Sequence, residues 1–140
     1  MDSKYIIKYF APFTIVVIII IFILNVVPHG SIEHPGKSSY KDKCSGCHGD
    51  AGEGIRTLIP PLVSSDFALQ NFDSIPCWLK TGLNRPITVN GIHYDQPMYG
   101  LDVDEIQIAN LMNYIGTELL KSDKQEISSI QVKGKLKSCN

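Results

Sequence analysis

The chain has 140 residues, with 13 Lys and Arg against 14 Asp and Glu and a net charge of −1 at pH 7. That length fits one small domain and an appendage. From Ser31 to Asn140, eleven Lys and Arg stand against thirteen Asp and Glu, a near balance that argues against a nucleic-acid partner, which would need a basic stripe, and supplies no strong field for long-range steering.

The first segment is apolar. Phe10 to Val27 reads FAPFTIVVIIIIFILNVV, without a charge. A helix needs around 20 apolar residues to cross a bilayer, so residues 10–27 are expected to form a transmembrane helix, with Pro12 near its start, where proline is tolerated. A cleaved signal peptide would have a shorter apolar core and a small-x-small site after it. Val26, Val27, Pro28 and His29 make a poor site, which favours an uncleaved signal-anchor. Lys4 and Lys8 precede the segment and the next Lys or Arg is Lys37. The positive-inside bias therefore keeps residues 1–9 in the cytoplasm and exports the rest. Residues 28–35, PHGSIEHP, read as a linker.

A helix over about 36–45 should follow, with Gly36, Tyr40 and Cys44 four apart on one side. The glycine there lets another helix cross closely. Residues 44–48 are Cys44-Ser45-Gly46-Cys47-His48, a CxxCH run that signals covalent attachment of one c-type haem. Two thiols add across the vinyl groups, and the next residue places an imidazole on the iron. CxxC also serves as half a zinc site or as a dithiol redox pair. Against zinc, Cys77 and Cys139 stand far apart with no histidine at finger spacing. Against the dithiol, the flanks lack an alternating β/α pattern. Haem attachment agrees with export, because c-type haem is joined on the outer side of the energy-transducing membrane.

The glycine-rich stretch Gly49 to Gly54 leads to Pro60-Pro61-Leu62. A carbonyl of Pro60 or Pro61 is expected to accept a hydrogen bond from His48 Nδ1; a plain surface loop is the alternative. Ser64, Ser65 and Asp66 suit the cap of a short helix over 67–70. A second helix over 73–81 has Pro76 in its first turn and Gly82 as its stop, with Trp78 and Leu79 in the core or against the haem. Ile87-Thr88-Val89 and Ile92-His93-Tyr94 flank Asn90-Gly91, the type I′ hairpin pair. The ribbon delivers Gln96-Pro97-Met98-Tyr99-Gly100. Met98 is the candidate second axial ligand, since a thioether suits haem iron and raises its potential. It follows a proline in an irregular segment just before a helix. Methionine more often fills a core, and Met112 sits among helical core neighbours. His29, His34 and His93 are rival ligands in the linker and ribbon. The last long helix should span 102–121, opened by Asp102 with Glu105, and Tyr114 should meet the Gly36 and Tyr40 face. Beyond it, Ser128 or Ser129 can cap a short helix that sets Val132, Leu136 and Cys139 on one face. The two thiols outside the CxxCH run, Cys77 and Cys139, are expected to form a disulfide in an oxidising compartment; two unrelated thiols are the alternative.

With Gly36, Tyr40, Cys44, Cys47, His48, Gly49, Pro60, Pro61, Leu62, Met98 and Tyr114 in this order, the chain resembles the class I c-type cytochromes over roughly Gly36 to Leu120. The resemblance implies an all-α fold around one haem, with first and last helices crossing, His48 below the iron and Met98 above it. The small β-hairpin and the N-terminal transmembrane helix are additions to that fold. The ITVNG ribbon with PMYG is similar to cytochrome domains associated with copper nitrite reductases and terminal respiratory complexes. Tyr99 departs from the usual PMP. The expected organisation is a cytoplasmic 1–9, a span 10–27, a linker 28–35, a cytochrome domain 36–121 and a tail 122–140 packed on it. The expected function is transfer of single electrons by a membrane-tethered monohaem carrier on the periplasmic face of the inner membrane. Its partners would be a redox donor and acceptor, such as a terminal oxidase, nitrite reductase or quinol-oxidising complex. It would not be an enzyme, because two filled axial positions leave no place for substrate. The alternatives are a haem subunit of a larger respiratory oxidase or reductase, and a haem sensor or enzyme with an open iron.

Overall fold

The computed structural model of the chain describes residues 3–26, 33–123 and 126–139, with side chains of the first helix described at 12–25. The chain divides into two compact units, Met1–Glu33 and His34–Asn140.

The first unit carries helix α1, Ser3–Val26. It begins well before Phe10, so Pro12 lies inside it rather than near its start, and one i→i−4 hydrogen bond is missing there. Asn25 Nδ2 returns a bond to the Ile21 carbonyl at 2.7 Å. The large apolar side chains from Phe13 to Leu24 are exposed. Among the described residues no helix is long and apolar enough to cross a membrane. Val27 and the side chains of Phe10, Ala11 and Val26, all within the expected span, lie outside the described residues. So do Met1, Asp2 and residues 28–32 of the expected linker.

The second unit opens with α2, Pro35–Lys43. Proline is pre-organised for a first helical position, and His34 Nδ1 accepts from the Gly36 amide at 3.2 Å. The helix ends two residues earlier than expected. Cys44 leaves helical geometry, and a short helix α3, Ser45–His48, restarts after it. Next come α4, Asp66–Gln70, a 3₁₀ turn over Phe72–Ser74 and α5, Ile75–Thr81. Ser65 Oγ caps α4 by accepting from the Ala68 amide. Pro76 falls in the first turn of α5, and Gly82, at φ 88°, stops it. Four short strands follow: β1 Gly82–Leu83, β2 Ile87–Val89, β3 Ile92–Tyr94 and β4 Met98–Tyr99. β2 and β3 form the antiparallel hairpin that Asn90-Gly91 predicts, with positive φ at both turn residues. β1 and β4 form a second antiparallel pair that the sequence reading lacks, with Leu83 opposite Met98.

Helix α6, Glu105–Tyr114, starts three residues later than expected. Asp104, not Asp102, is its cap: Asp104 Oδ1 accepts from the Gln107 amide, and Gln107 Oε1 accepts from the Asp104 amide. The preceding Val103 is buried and gives its carbonyl to Lys80 Nζ at 2.8 Å, which ties this segment to α5 instead of to the helix. After Tyr114 the helix widens to a π turn over Ile115–Leu119. The tail helix α7, Ser129–Leu136, has the capping box Ser128 and Gln131.

The core forms where α2 crosses α6. A Cβ on Gly36 would lie 2.0 Å from the Asn110 carbonyl oxygen, so a glycine is needed at the crossing. Tyr40, fully buried, packs against Tyr114 with ring centroids 5.3 Å apart. Burial pushes the Tyr40 phenol well above its ordinary pKa, and its hydroxyl donates to the Gly49 carbonyl at 2.7 Å. The tail packs on the same core through fully buried Val132 and partly buried Leu136. Asn113 binds both backbone groups of Ile127, accepting from its amide and donating to its carbonyl. The structure joins Cys139 to Cys77, with Cα atoms 5.5 Å apart.

Candidate functional site

The break between α2 and α3 sets the two cysteines differently. Cys44, at the break, is buried against the α2–α6 core, whereas Cys47, one turn on, is exposed. Burial, and secondarily the nearby Cys47, push the Cys44 thiol up to about 11. It is therefore a neutral thiol at physiological pH.

His48 ends α3. The glycine-rich loop beyond it folds back as one piece. The Gly54 amide donates to the His48 carbonyl at 2.7 Å, and Ile55 and Ile59 form an antiparallel bridge. Gly54 has φ 70°, and a Cβ there would lie 2.4 Å from the Ile59 carbonyl oxygen. The closure brings the Pro60 carbonyl to 3.0 Å from His48 Nδ1. A carbonyl only accepts, so Nδ1 carries the proton and Nε2 keeps its lone pair for a metal. Burial lowers the His48 pKa, and the Pro60 bond opposes part of that shift. The ring is thus held in the neutral form that ligation requires. Of the two candidate prolines, Pro60 makes this bond; Pro61 lines the cavity below.

Cys44, Cys47, His48, Pro60 and Met98 all border one cavity of about 310 Å³, within the usual range of about 300–1,000 Å³ for ligand sites. Trp78 and Leu79 border it as well. Phe67 stacks on Trp78 at 5.3 Å, and the Arg85 guanidinium lies 5.9 Å from the Phe67 ring centroid. Met98 reaches the cavity from β4, not from an irregular segment next to a helix. Gly82 and Gly100 permit that placement: a Cβ on Gly82 would meet the Met98 carbonyl at 2.6 Å, and one on Gly100 would meet the Lys80 carbonyl at 2.5 Å. Gly82 thus has a second use beyond stopping α5. Tyr99, next in β4, also borders the cavity and is 81% exposed, at its rim.

The rival histidines are elsewhere. His34 caps α2, His93 is exposed on β3, and His29 lies outside the described residues. Among the described residues no three His, Cys, Asp or Glu side chains group to hold a metal ion. A bare zinc ion therefore lacks a ligand set there, whereas a haem brings four nitrogen donors of its own and asks the protein for two more. The donors that border the cavity, two thiols, a neutral imidazole and a thioether, suit that group. Sequence reading missed Tyr94 and Arg85, which also border the cavity; only the hairpin position of Tyr94, at the end of the ribbon nearest Met98, could have marked one of them.

A family model described as Cytochrome c matches residues 34–118. The comparison with curated proteins found no match.

Proposed function

The chain belongs to the cytochrome c family, whose domain implies electron transfer by a haem protein, and from that premise we propose that it is a membrane-tethered, monohaem carrier of single electrons. Cys44 and Cys47 would hold the haem by thioethers, and His48 and Met98 would ligate its iron. When bound, the group supplies a one-electron couple between ferric and ferrous iron. The protein's part is to fix the ligands and keep water away. The Pro60 carbonyl orients His48 and strengthens it as a donor. The apolar walls around Trp78, Leu79 and Leu101 exclude solvent, which favours the less charged ferrous centre. The observation that carries the proposal is the convergence of Cys44, Cys47, His48 and Met98 on one mostly apolar cavity.

Tethering is supported by the charge-free run Phe10–Val27, by the helical backbone over Ser3–Val26 and by the exposed apolar side chains of that helix. Lys4 and Lys8, ahead of the charge-free run, orient the domain toward the periplasm. A tether raises the effective concentration of the carrier near other membrane-bound redox proteins. These would be a respiratory donor and acceptor.

The test is an optical spectrum of the protein made with haem-attachment machinery, ferric and ferrous, with and without carbon monoxide. The proposal expects a ferric sulfur-to-iron charge-transfer band that Met98→Ala abolishes, and no carbon monoxide adduct in the wild type. Ready carbon monoxide binding by the wild type would replace the carrier with a sensor or enzyme. Absence of any haem spectrum would refute the site.

A further inference from the structure

The loop that carries Pro60 is tied within itself more than to the rest of the domain. Its hydrogen bonds run from Gly52 to Gly49, Gly54 to His48, Ile55 to Ile59, and Leu62 and Val63 back to Gly52. At its base, Tyr40 Oη donates to Gly49 and the Ser64 amide donates to Leu119. Its tip, Ile55 to Leu58, is exposed. Among the described residues one side-chain hydrogen bond reaches that tip from outside: Tyr94 Oη donates to the Arg56 carbonyl at 3.1 Å, across 38 residues.

Both ends of that bond are distinctive. Arg56 has φ 42°, in the left-handed region that residues with a Cβ rarely adopt, so something must hold it there. Tyr94 is buried, and it sits on a ribbon that is itself pinned. At the hairpin turn the Asn90 amide donates to Asp66 Oδ1 at 2.8 Å, and the Asp66 amide donates to Asn90 Oδ1 at 3.1 Å. The donor is therefore fixed and the loop tip is the part being held. Tyr94 lies four residues before Met98, and both border the cavity with Pro60.

We propose that Tyr94 is a positioning residue: its hydroxyl fastens the histidine-side loop at Arg56 to the methionine-side ribbon, and so keeps the Pro60 carbonyl on His48 Nδ1. The inference rests on the electron-carrier reading of the site. It gives the two sides of the cavity a direct mechanical link and assigns the hydroxyl a task separate from the packing of the ring.

The test uses the full-length, haem-loaded chain in detergent, in the diamagnetic ferrous state, with hydrogen exchange read by NMR. Tyr94→Phe keeps the ring and removes the donor. The His48 ring N–H and the Gly54 and Ile59 amides should exchange roughly threefold to tenfold faster, the change that loss of one net hydrogen bond produces. The α6 amides Leu111 and Met112 should be unchanged. Adding Arg56→Gly to Tyr94→Phe removes the left-handed cost and should recover part of the protection, a non-additive pair. Unchanged exchange at His48, or equal acceleration in α6, overturns the proposal. In the wild type the Tyr94 hydroxyl proton should be slow to exchange and close in space to Arg56. A freely exchanging hydroxyl overturns the proposal even if the variant fails to accumulate. A wild type that takes up no haem refutes the carrier reading and this inference with it; a haem-loaded Tyr94→Phe with wild-type exchange refutes this inference alone.

Discussion

Replacing Gly36 by alanine inserts one methyl group into the crossing of α2 and α6. The new Cβ would stand 2.0 Å from the Asn110 carbonyl oxygen and 2.6 Å from Tyr114 Cβ, neither of them the free end of a flexible side chain. Asn110 and Tyr114 are on helix α6, so relief requires the two helices to part by more than about 1 Å. That parting loosens the contact of Tyr40 with Tyr114 and the packing of Cys44 behind it. Overpacking a core by one methylene costs about 1–3 kcal/mol, and here the obstacle is backbone, which places the cost at the upper end. Alanine's better helix propensity returns less than about 1 kcal/mol. The net loss should be about 2 kcal/mol, or a fall in Tm of about 8–16 °C for a domain of this size. Thermal unfolding of the haem-loaded protein, followed by circular dichroism, reads it directly. A Gly36→Ala protein that melts at or above the wild-type temperature would show that propensity outweighs the crossing, and would refute the packing argument.

Cys139→Ser opens a closure of sequence separation 62, for which chain entropy predicts a loss of up to about 4 kcal/mol; a guanidinium midpoint unchanged from the wild type under oxidising conditions would contradict it. Asn113→Ala leaves the amide and carbonyl of Ile127 without their partner and should cost about 1–3 kcal/mol, read as faster proteolytic cutting between Lys121 and Ser128. Lys135→Ala removes an ion pair to a strongly exposed Asp73 and should leave the unfolding midpoint within about 0.5 kcal/mol of the wild type. In the haem-free chain, burial holds the His48 pKa below its unfolded value of about 6.5. The unfolded chain therefore binds the proton first. Stability from neutral His48 is fully present above pH 6.5 and is lost as pH falls through the folded value. Midpoints measured from pH 8 to 5 should be flat and then decline; a rise on acidification would refute the sign.

Much of this was legible because the signals were local. CxxCH, the Asn90-Gly91 turn, Ser65 before α4 and Gly82 after α5 each act within a few residues, and the turn, the cap and the stop sit where their chemistry predicts. The helix pairing was legible through Gly36 and Tyr40 because their spacing marks one face. Tertiary contacts decided the rest. Asp102 and Asp104 are equally good caps as letters, and burial of Val103 with its bond to Lys80 selects the second. The β1–β4 pair is two residues long, below any periodic signal, and depends on the close approach of Gly82 to the Met98 backbone. The choice of Pro60 over Pro61 depends on how Gly54 closes the loop. Tyr94 and Arg56 stand 38 residues apart, and no pattern within either segment names the other.

The ring closed by Cys77 and Cys139 encircles Met98, both ribbons and the whole of α6, and leaves Cys44, Cys47 and His48 outside it. Under the proposed function the chain is therefore matured by two covalent closures that share no residue. The disulfide closes the segment that presents Met98. Haem attachment would act on residues 44–48, which precede that segment in the chain. Each step can fail alone: without the disulfide the tail loses its covalent tie to α5, and without haem attachment Cys44 and Cys47 stay as thiols.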